Sequence, residues 1–497
     1  MTGPSGKTFD LLIIGGGITG CGVARDAAMR GLDVALFERE DFASGTSGRS
    51  SRLVHGGIRY LEQRQIHLVH ESIRERQTLL RIAPHLVKPL AFTWPIYRGA
   101  RVGKLKLRAA LLIYELMAVG RSMRHSMLSE SETLAREPSL SSAGLTGGAV
   151  YYDARTDDAR LTLANALAAK ASGATIVNHA SVSNLIVEAG RALGGNIKSH
   201  DGGDATAVRA HVIVNATGIW ESRFSSDHRA QRHRGSKGVH ISVPRERIGN
   251  RDALTLISPV DGRVMFCLPA GSQTIIGTTD TWTDEPPESV HASPADVDYL
   301  IRSANAYFDR ARLTIDDVVS AWAGIRPLAN TSAASPRAVS REHSIITDDL
   351  GVINVTGGKL TTYRSMAAEI VDLVQRSLGR KIQRSPTDSV QLPGADRDKE
   401  ISTLEATTTD LARPLVDGLP YTAAHLVYGV RNEMAQTLSD LLIRRTHLAF
   451  ETRDHGLRIA DHAADIVAPI LGWDSQTKVA RVRDYHQDVE RMFAISS

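Results

Sequence analysis

The sequence predicts an α/β protein built on a parallel sheet, joined to a second, antiparallel-sheet domain of α+β character and to a helical C-terminal region. Three observations carry this expectation. Residues 9–38 read as strand, turn, helix and strand, a βαβ opening that places helices against a parallel sheet. Short strands at 239–243, 263–268 and 274–277 follow one another across turns without intervening helices, as in an antiparallel sheet. Beyond 385–394, a linker with two prolines and a glycine, residues 397–497 are rich in helix formers and poor in strand signals.

In chain order, 9–14 is a buried strand, 15–20 a glycine-rich turn, 21–30 a helix stopped by Gly31, and 33–38 the next strand. A Gly/Ser-rich stretch at 44–57 leads to a helix over 65–83 that ends before Pro84. Helical spacing recurs at 161–171, 175–177 is a short strand, and the β-branched run 208–215 stops at Ala216-Thr217-Gly218. A last parallel-type strand, 352–355, runs into Gly357-Gly358 and a helix over 360–378.

At 497 residues the chain exceeds a single compact core, and about 150 residues per domain gives roughly three domains. Lys and Arg number 59 against 55 Asp and Glu, a balance too even for a nucleic-acid-binding surface, so no nucleic-acid partner is expected. The 18 histidines lack the spacing of metal ligands, and no metal is expected. Two cysteines, Cys21 and Cys267, build no disulfide framework and fit a reducing compartment. With no signal-peptide pattern and no apolar stretch near the ~18 residues of a spanning helix, the expected location is the cytoplasm, free or peripheral on the inner face of the cytoplasmic membrane.

The strongest local motif is Gly15-x-Gly17-x-x-Gly20 between a strand and a helix, with Glu38 closing the second strand. Gly15 makes the tight turn, Gly17 lets backbone approach a pyrophosphate, Gly20 packs helix on strand, and the helix N-terminus offers amides to the phosphates. Glu38 would accept from ribose hydroxyls, and its charge disfavours a 2′-phosphate. NAD and FAD both satisfy this motif.

Seven segments in order carry a further resemblance: residues 12–20, Thr46-Ser47-Gly48-Arg49-Ser50-Ser51, His55-Gly56-Gly57-Ile58-Arg59-Tyr60, Val214-Asn215-Ala216-Thr217-Gly218, Gly277-Thr278-Thr279-Asp280, Gly324-Ile325-Arg326-Pro327 and Gly357-Gly358-Lys359-Leu360-Thr361-Thr362-Tyr363. From about residue 9 to 378 the chain resembles the FAD-dependent (aerobic, respiratory) glycerol-3-phosphate dehydrogenases, relatives of the D-amino-acid oxidase group. The resemblance implies a Rossmann-like FAD-binding domain in three pieces, 1–78, 150–224 and 336–386, a substrate-binding cap from 79–149 and 225–335, and a helical domain at 387–497. It implies FAD as cofactor, held by Gly15, Gly17, Ile18, Thr19 and Gly20, by Glu38 and Arg39, and by Thr46, Ser47, Ser50 and Ser51. His55, Gly56 and Gly57, Val182, Ala216, Thr217 and Gly218, and Gly358, Lys359, Leu360 and Thr361 complete that set.

For the substrate, glycerol 3-phosphate, the resemblance points to Arg59, Arg326 and Lys359 as phosphate ligands, Arg offering a planar fork and Lys a point charge. His240 is the first choice for the base that takes the C2 hydroxyl proton and His55 the second, since imidazole titrates near ~6.5. Where family members often carry Gly-Ser-His, this chain has Gly238-Val239-His240. Tyr60 and Asp280 are further pocket candidates, while Trp94, Trp220 and Trp322 read as packing residues.

Quinone is the implied electron acceptor and a homodimer the implied assembly. A basic run, Arg98, Arg101, Lys104, Lys106 and Arg108, precedes the apolar segment 109–120 and reads either as a lipid-facing element or as an ordinary solvated loop before a core helix. Three other readings fit the same motifs: an oxygen-using glycerol-3-phosphate oxidase, an amine or amino-acid oxidase, and a non-catalytic FAD-binding protein.

Overall fold

The structure, a computed structural model, describes residues 7–62, 65–117, 124–200, 202–226, 235–328 and 343–496, and their side chains apart from those of Arg59, Glu221 and Ser222. Two sheets organise it. In the first, Thr8–Ile14 lies between Val34–Phe37 and Thr206–Asn215, with Thr175–Val177 and Val352–Gly357 outside them, and all four pairings are parallel. Leu11 to Ile14 form an unbroken buried run because both faces of this central strand are covered. Leu11 and Ile13 pack with the helices Ile18–Met29, Asp158–Ala171 and Tyr363–Ser377, while Leu12 and Ile14 pack with the hairpin Ala180–Glu188 and Arg191–Ser199. The α/β expectation holds, and the first helix starts at Ile18, inside the glycine motif rather than after it.

The second sheet is antiparallel in every pairing except Ala253–Ile257 with Lys88–Tyr97. Gly235–Pro244 runs between Gln273–Gly277 and Ser320–Pro327. Alternation sorts its side chains. Val239, Ile241 and Val243 enter a core shared with the helix Pro294–Asn305, which leaves His240 for the opposite face. His240 sits in mid-strand, opposite Gly277 on one neighbour and Trp322 on the other.

The C-terminal region is helical, with Arg397–Glu405, Ala423–Asn432, Ala460–Leu471 and Ser475–Phe493 as its longer elements and Leu448–Glu451 as a single turn. It docks on both sheets. Arg444 Nε and Arg445 Nη1 donate to Asp41 at 2.7 and 2.6 Å, His447 Nε2 lies 2.6 Å from Asp157, and Phe450 meets Trp322. Asp41, His179 and Asp440 bring possible metal-ligating atoms within 4.8 Å of one another. Their carboxylates are already occupied by Arg444, Arg445, Asn178 and the backbone amides of Gln436 and Thr437, so the cluster is a buried ion-pair network between domains.

Candidate active site

A cavity of about 730 Å³ opens between the two sheets, within the usual range for a cofactor and small substrate. Its first wall is the glycine motif. Gly15 sits at φ +108°, and a Cβ there would lie 2.7 Å from the Ala216 carbonyl oxygen, so this turn admits only glycine. The Ile18–Met29 helix begins here with Gly17 as its N-cap, and Gly15, Gly17, Ile18 and Thr19 line the space, as a dinucleotide pyrophosphate requires. Gly20 stands behind them, where a Cβ would strike the Gly15 carbonyl.

Glu38 and Arg39 line the cavity beside Val182, Ala216, Thr217 and Gly218. The Glu38 carboxylate accepts from the amides of Gly16 at 2.5 Å and Glu40 at 2.8 Å, which fixes it at the cavity wall. Burial raises its pKa and those two amides oppose the rise. Trp220, read from sequence as packing, also lines the cavity, with its Nε1 donating to Glu288 at 2.6 Å and Arg39 over its ring. These residues fit an adenine dinucleotide.

Thr46, Ser47, Ser50, Ser51 and His55 form the next wall. Their hydroxyls also tie the loop down: Thr46 Oγ1 donates to the Ile325 carbonyl at 2.6 Å, Ser47 Oγ accepts from the Ile18 amide at 2.9 Å, and Ser50 Oγ donates to Asp158 at 2.6 Å. Ser51 Oγ lies 2.8 Å from His240 Nε2, so this residue faces His240 as well as the cavity. Gly56 and Gly57 sit outside the wall, where Gly56 N donates to Asp153 at 3.0 Å. Gly358, Lys359, Leu360 and Thr361 close the far end, and Thr361 Oγ1 accepts from the His55 amide at 3.2 Å.

The polar centre comprises His240, Arg326, Lys359 and Tyr60, all in the cavity lining. Lys359 Nζ stands 3.8 Å from the centroid of the Tyr60 ring. Arg326 Nη2 donates to Thr278 Oγ1 at 3.0 Å, and Nη1 lies 3.4 Å from Asp280. Asp280 is outside the lining, bonded to Ser236 behind Arg326, which makes it a holder of the guanidinium. Gly238 is needed for this arrangement, since a Cβ would lie 2.4 Å from Arg326 Nη2. Arg59 lies on the turn Ile58–Leu61, with its side chain outside the described residues.

His240 is 2% exposed, and its Nδ1 has no hydrogen-bond partner among the described residues. Burial, then the charges of Arg326 and Arg52, push its pKa down to about 3, so the ring is neutral at physiological pH. A neutral imidazole beside two cationic side chains can accept a proton from an anionic alcohol held next to it.

Comparison with known proteins agrees with this geometry. The FAD dependent oxidoreductase family matches residues 10–368, and the C-terminal domain of alpha-glycerophosphate oxidase matches 394–478. The aerobic glycerol-3-phosphate dehydrogenase of Bacillus subtilis is 35% identical, over 96% of this chain and 94% of its own length. The glycerol-3-phosphate dehydrogenase of Mycobacterium leprae is 36% identical, over 97% and 88%. The crystal structure of the glycerol-3-phosphate dehydrogenase from Bacillus halodurans, complexed with FAD, superposes with a TM-score of 0.78 at 30% identity, covering 98% of this chain and 96% of that one. The glycine cradle, the anchored glutamate and the full-length match agree, and the chain belongs to the FAD dependent oxidoreductase family, alongside the glycerol-3-phosphate dehydrogenases.

Proposed function

We propose that this enzyme oxidises sn-glycerol 3-phosphate at C2 to dihydroxyacetone phosphate and passes the electrons to a membrane quinone. The observation that carries the reading is a buried, neutral His240 lining the same cavity as Arg326 and Lys359. Arg326 and Lys359, joined by Arg59, hold the phosphate, and Tyr60 and Asp280 keep the two cations in place. A dianion on Arg326 offsets one of the charges that hold His240 neutral, so substrate binding itself raises the affinity of the imidazole for a proton. Nε2 then exchanges its bond to Ser51 Oγ for one to the C2 hydroxyl and takes that proton as the carbonyl forms. FAD, when bound, supplies the acceptor for the hydride that leaves C2.

Bleaching of the yellow protein by glycerol 3-phosphate without oxygen, and return of the colour on adding a soluble quinone analogue, is the expected result. A yellow protein that never bleaches would remove the substrate. Colour returning with oxygen as fast as with quinone would favour an oxidase.

The quinone reading draws on the helix Lys104–Leu116. Its inner face, Leu107, Leu111 and Tyr114, packs into the core with Ile58 and Tyr60. Its outer face carries Leu105, Leu112 and Leu116, 85%, 51% and 76% exposed, at i, i+7 and i+11. Lys104, Lys106 and Arg108 flank this stripe, an arrangement suited to shallow insertion in an anionic bilayer. Tyr114 OH donates to Asp153 at 2.7 Å, and Asp153 holds the Gly56 amide, so the lipid-facing helix bears on the loop that leads into the active-site wall. Among the described residues no helix is long and apolar enough to cross a membrane. Replacing Leu105 and Leu112 together by glutamate is expected to cut co-flotation with anionic vesicles by about tenfold or more while reduction of a soluble quinone persists. Unchanged flotation would assign this face another role.

A further inference from the structure

The imidazole of His240 is gripped from three directions. Ser51 Oγ meets Nε2, Gly277 leaves the ring room where a Cβ would lie 2.2 Å from Cδ2, and Trp322 stacks on its face at 5.4 Å between centroids with 14° between planes. The third contact continues into another domain. Trp322, 1% exposed, meets Phe450 edge-on at 5.1 Å and 85°. Phe450 meets Phe493 at 5.1 Å, and Phe493 stacks on His455 at 4.3 Å. A continuous aromatic column therefore runs from the second sheet through the turn Leu448–Glu451 into the final helix. The guanidinium of Arg52 lies over Phe450 at 4.6 Å and over Trp322 at 5.7 Å, covering the joint from the side of the loop that carries Ser51.

We infer that Phe450 is a positioning residue for the oxidation: acting through Trp322, and seated by Arg52, it lets the C-terminal domain fix the plane of the His240 ring so that Nε2 faces the C2 hydroxyl. The inference rests on the reading of His240 as the base. Three features support it. Trp322 meets both His240 and Phe450, so the plane of the indole, and with it that of the imidazole, depends on a residue that is about two hundred positions from His240 in sequence. Nδ1 has no hydrogen-bond partner among the described residues, so one bond to Ser51 and the stack orient the ring. Proton transfer needs close alignment, and small misplacements cost rate more than they cost binding.

The charged groups bearing on His240 are Arg326, from the neighbouring strand, and Arg52, from the loop. The strand on its other side presents Gly277, while Asp158 and Glu451 bear on Arg52. Taking away the Arg52 charge makes protonation of His240 easier, so the pH at which the rate falls off on the acid side moves upward.

The test uses the full-length FAD-bound protein with Phe450→Leu, Arg52→Met and His240→Asn in parallel. Phe450→Leu is expected to keep its FAD and its visible spectrum and to bleach with a limiting rate about tenfold lower, with the half-saturating glycerol 3-phosphate concentration within about twofold of the unaltered protein. Arg52→Met is expected to move the acid limb of the rate to higher pH. Phe450→Leu bleaching at the unaltered rate, with His240→Asn slow, overturns the inference, because the base would then be oriented without the column. Loss of FAD by Phe450→Leu passes the decision to Arg52→Met, which unseats Phe450, and an unaltered limiting rate there overturns it equally. A fast His240→Asn instead removes the base reading on which the inference stands.

Discussion

Arg326→Ala is expected to raise the glycerol 3-phosphate concentration that half-saturates anaerobic bleaching by about a hundredfold, equivalent to ~2.7 kcal/mol of charge-assisted hydrogen bonding. FAD retention should change little, because the residues that fit the adenosine and pyrophosphate, Gly15, Gly17 and Glu38, follow the strands Thr8–Ile14 and Val34–Phe37 of the first sheet, whereas Arg326 is on a strand of the second. The fork is pre-aimed: Thr278 holds Nη2, Asp280 faces Nη1, and Gly238 supplies the gap into which the group lies flat. Removing the side chain takes one charged partner from the buried Asp280, which keeps its bond from Ser236, so a modest drop in melting temperature accompanies the binding defect. Arg326→Lys separates the two effects. It retains the charge, loses the planar fork, and should fall between the alanine variant and the unaltered protein in substrate affinity. Unchanged affinity in Arg326→Ala would move the phosphate to Lys359 and Arg59.

Much of this site was legible because its signals are local. The turn from strand to helix at Gly15 is dictated by a positive φ that the glycine satisfies, and Glu38 ends the adjoining strand where its carboxylate can meet the Gly16 amide. The alternation Val239, His240, Ile241 announces that the histidine faces away from the core of its sheet, which the register confirms. Other parts depend on contacts distant in sequence. Lys88–Tyr97 and Leu145–Arg155 form the longest pairing of the second sheet, yet prolines at 89 and 95 and glycines at 147 and 148 mask them as strands. Nothing near Ser51 in the sequence signals that it meets His240, and nothing near Trp322 signals that Phe450 completes its packing. Arg52 carries no local signal because its role is set by two aromatic faces supplied by separate segments. Asp280 sits next to motif threonines and reads as a pocket residue, but its carboxylate is directed to Ser236 and Arg326 behind the wall.

His240→Asn is the companion variant, and its expected signature is the reverse of that at Arg326. Flavin reduction should slow by about a thousandfold, the scale of a positioned general base, while the half-saturating substrate concentration stays near that of the unaltered protein. A second, independent readout follows from linkage. In the folded protein His240 takes up a proton only near pH 3, whereas in the unfolded chain a histidine does so near ~6.5. Between those values the unfolded state binds more protons, so this residue leaves stability untouched above pH 6.5 and lowers it progressively as the pH falls toward 3. Asparagine cannot titrate, and the stability of His240→Asn should therefore decline less steeply over that window. Slow reduction with a flattened acid profile would identify His240 as a buried, neutral base. Slow reduction with an unflattened profile would mean that the ring takes up its proton at about the same pH folded as unfolded, so that burial does not hold it neutral below pH ~6.5. Wild-type reduction would transfer the role to His55, which lines the same cavity just beyond the strand Leu53–Val54.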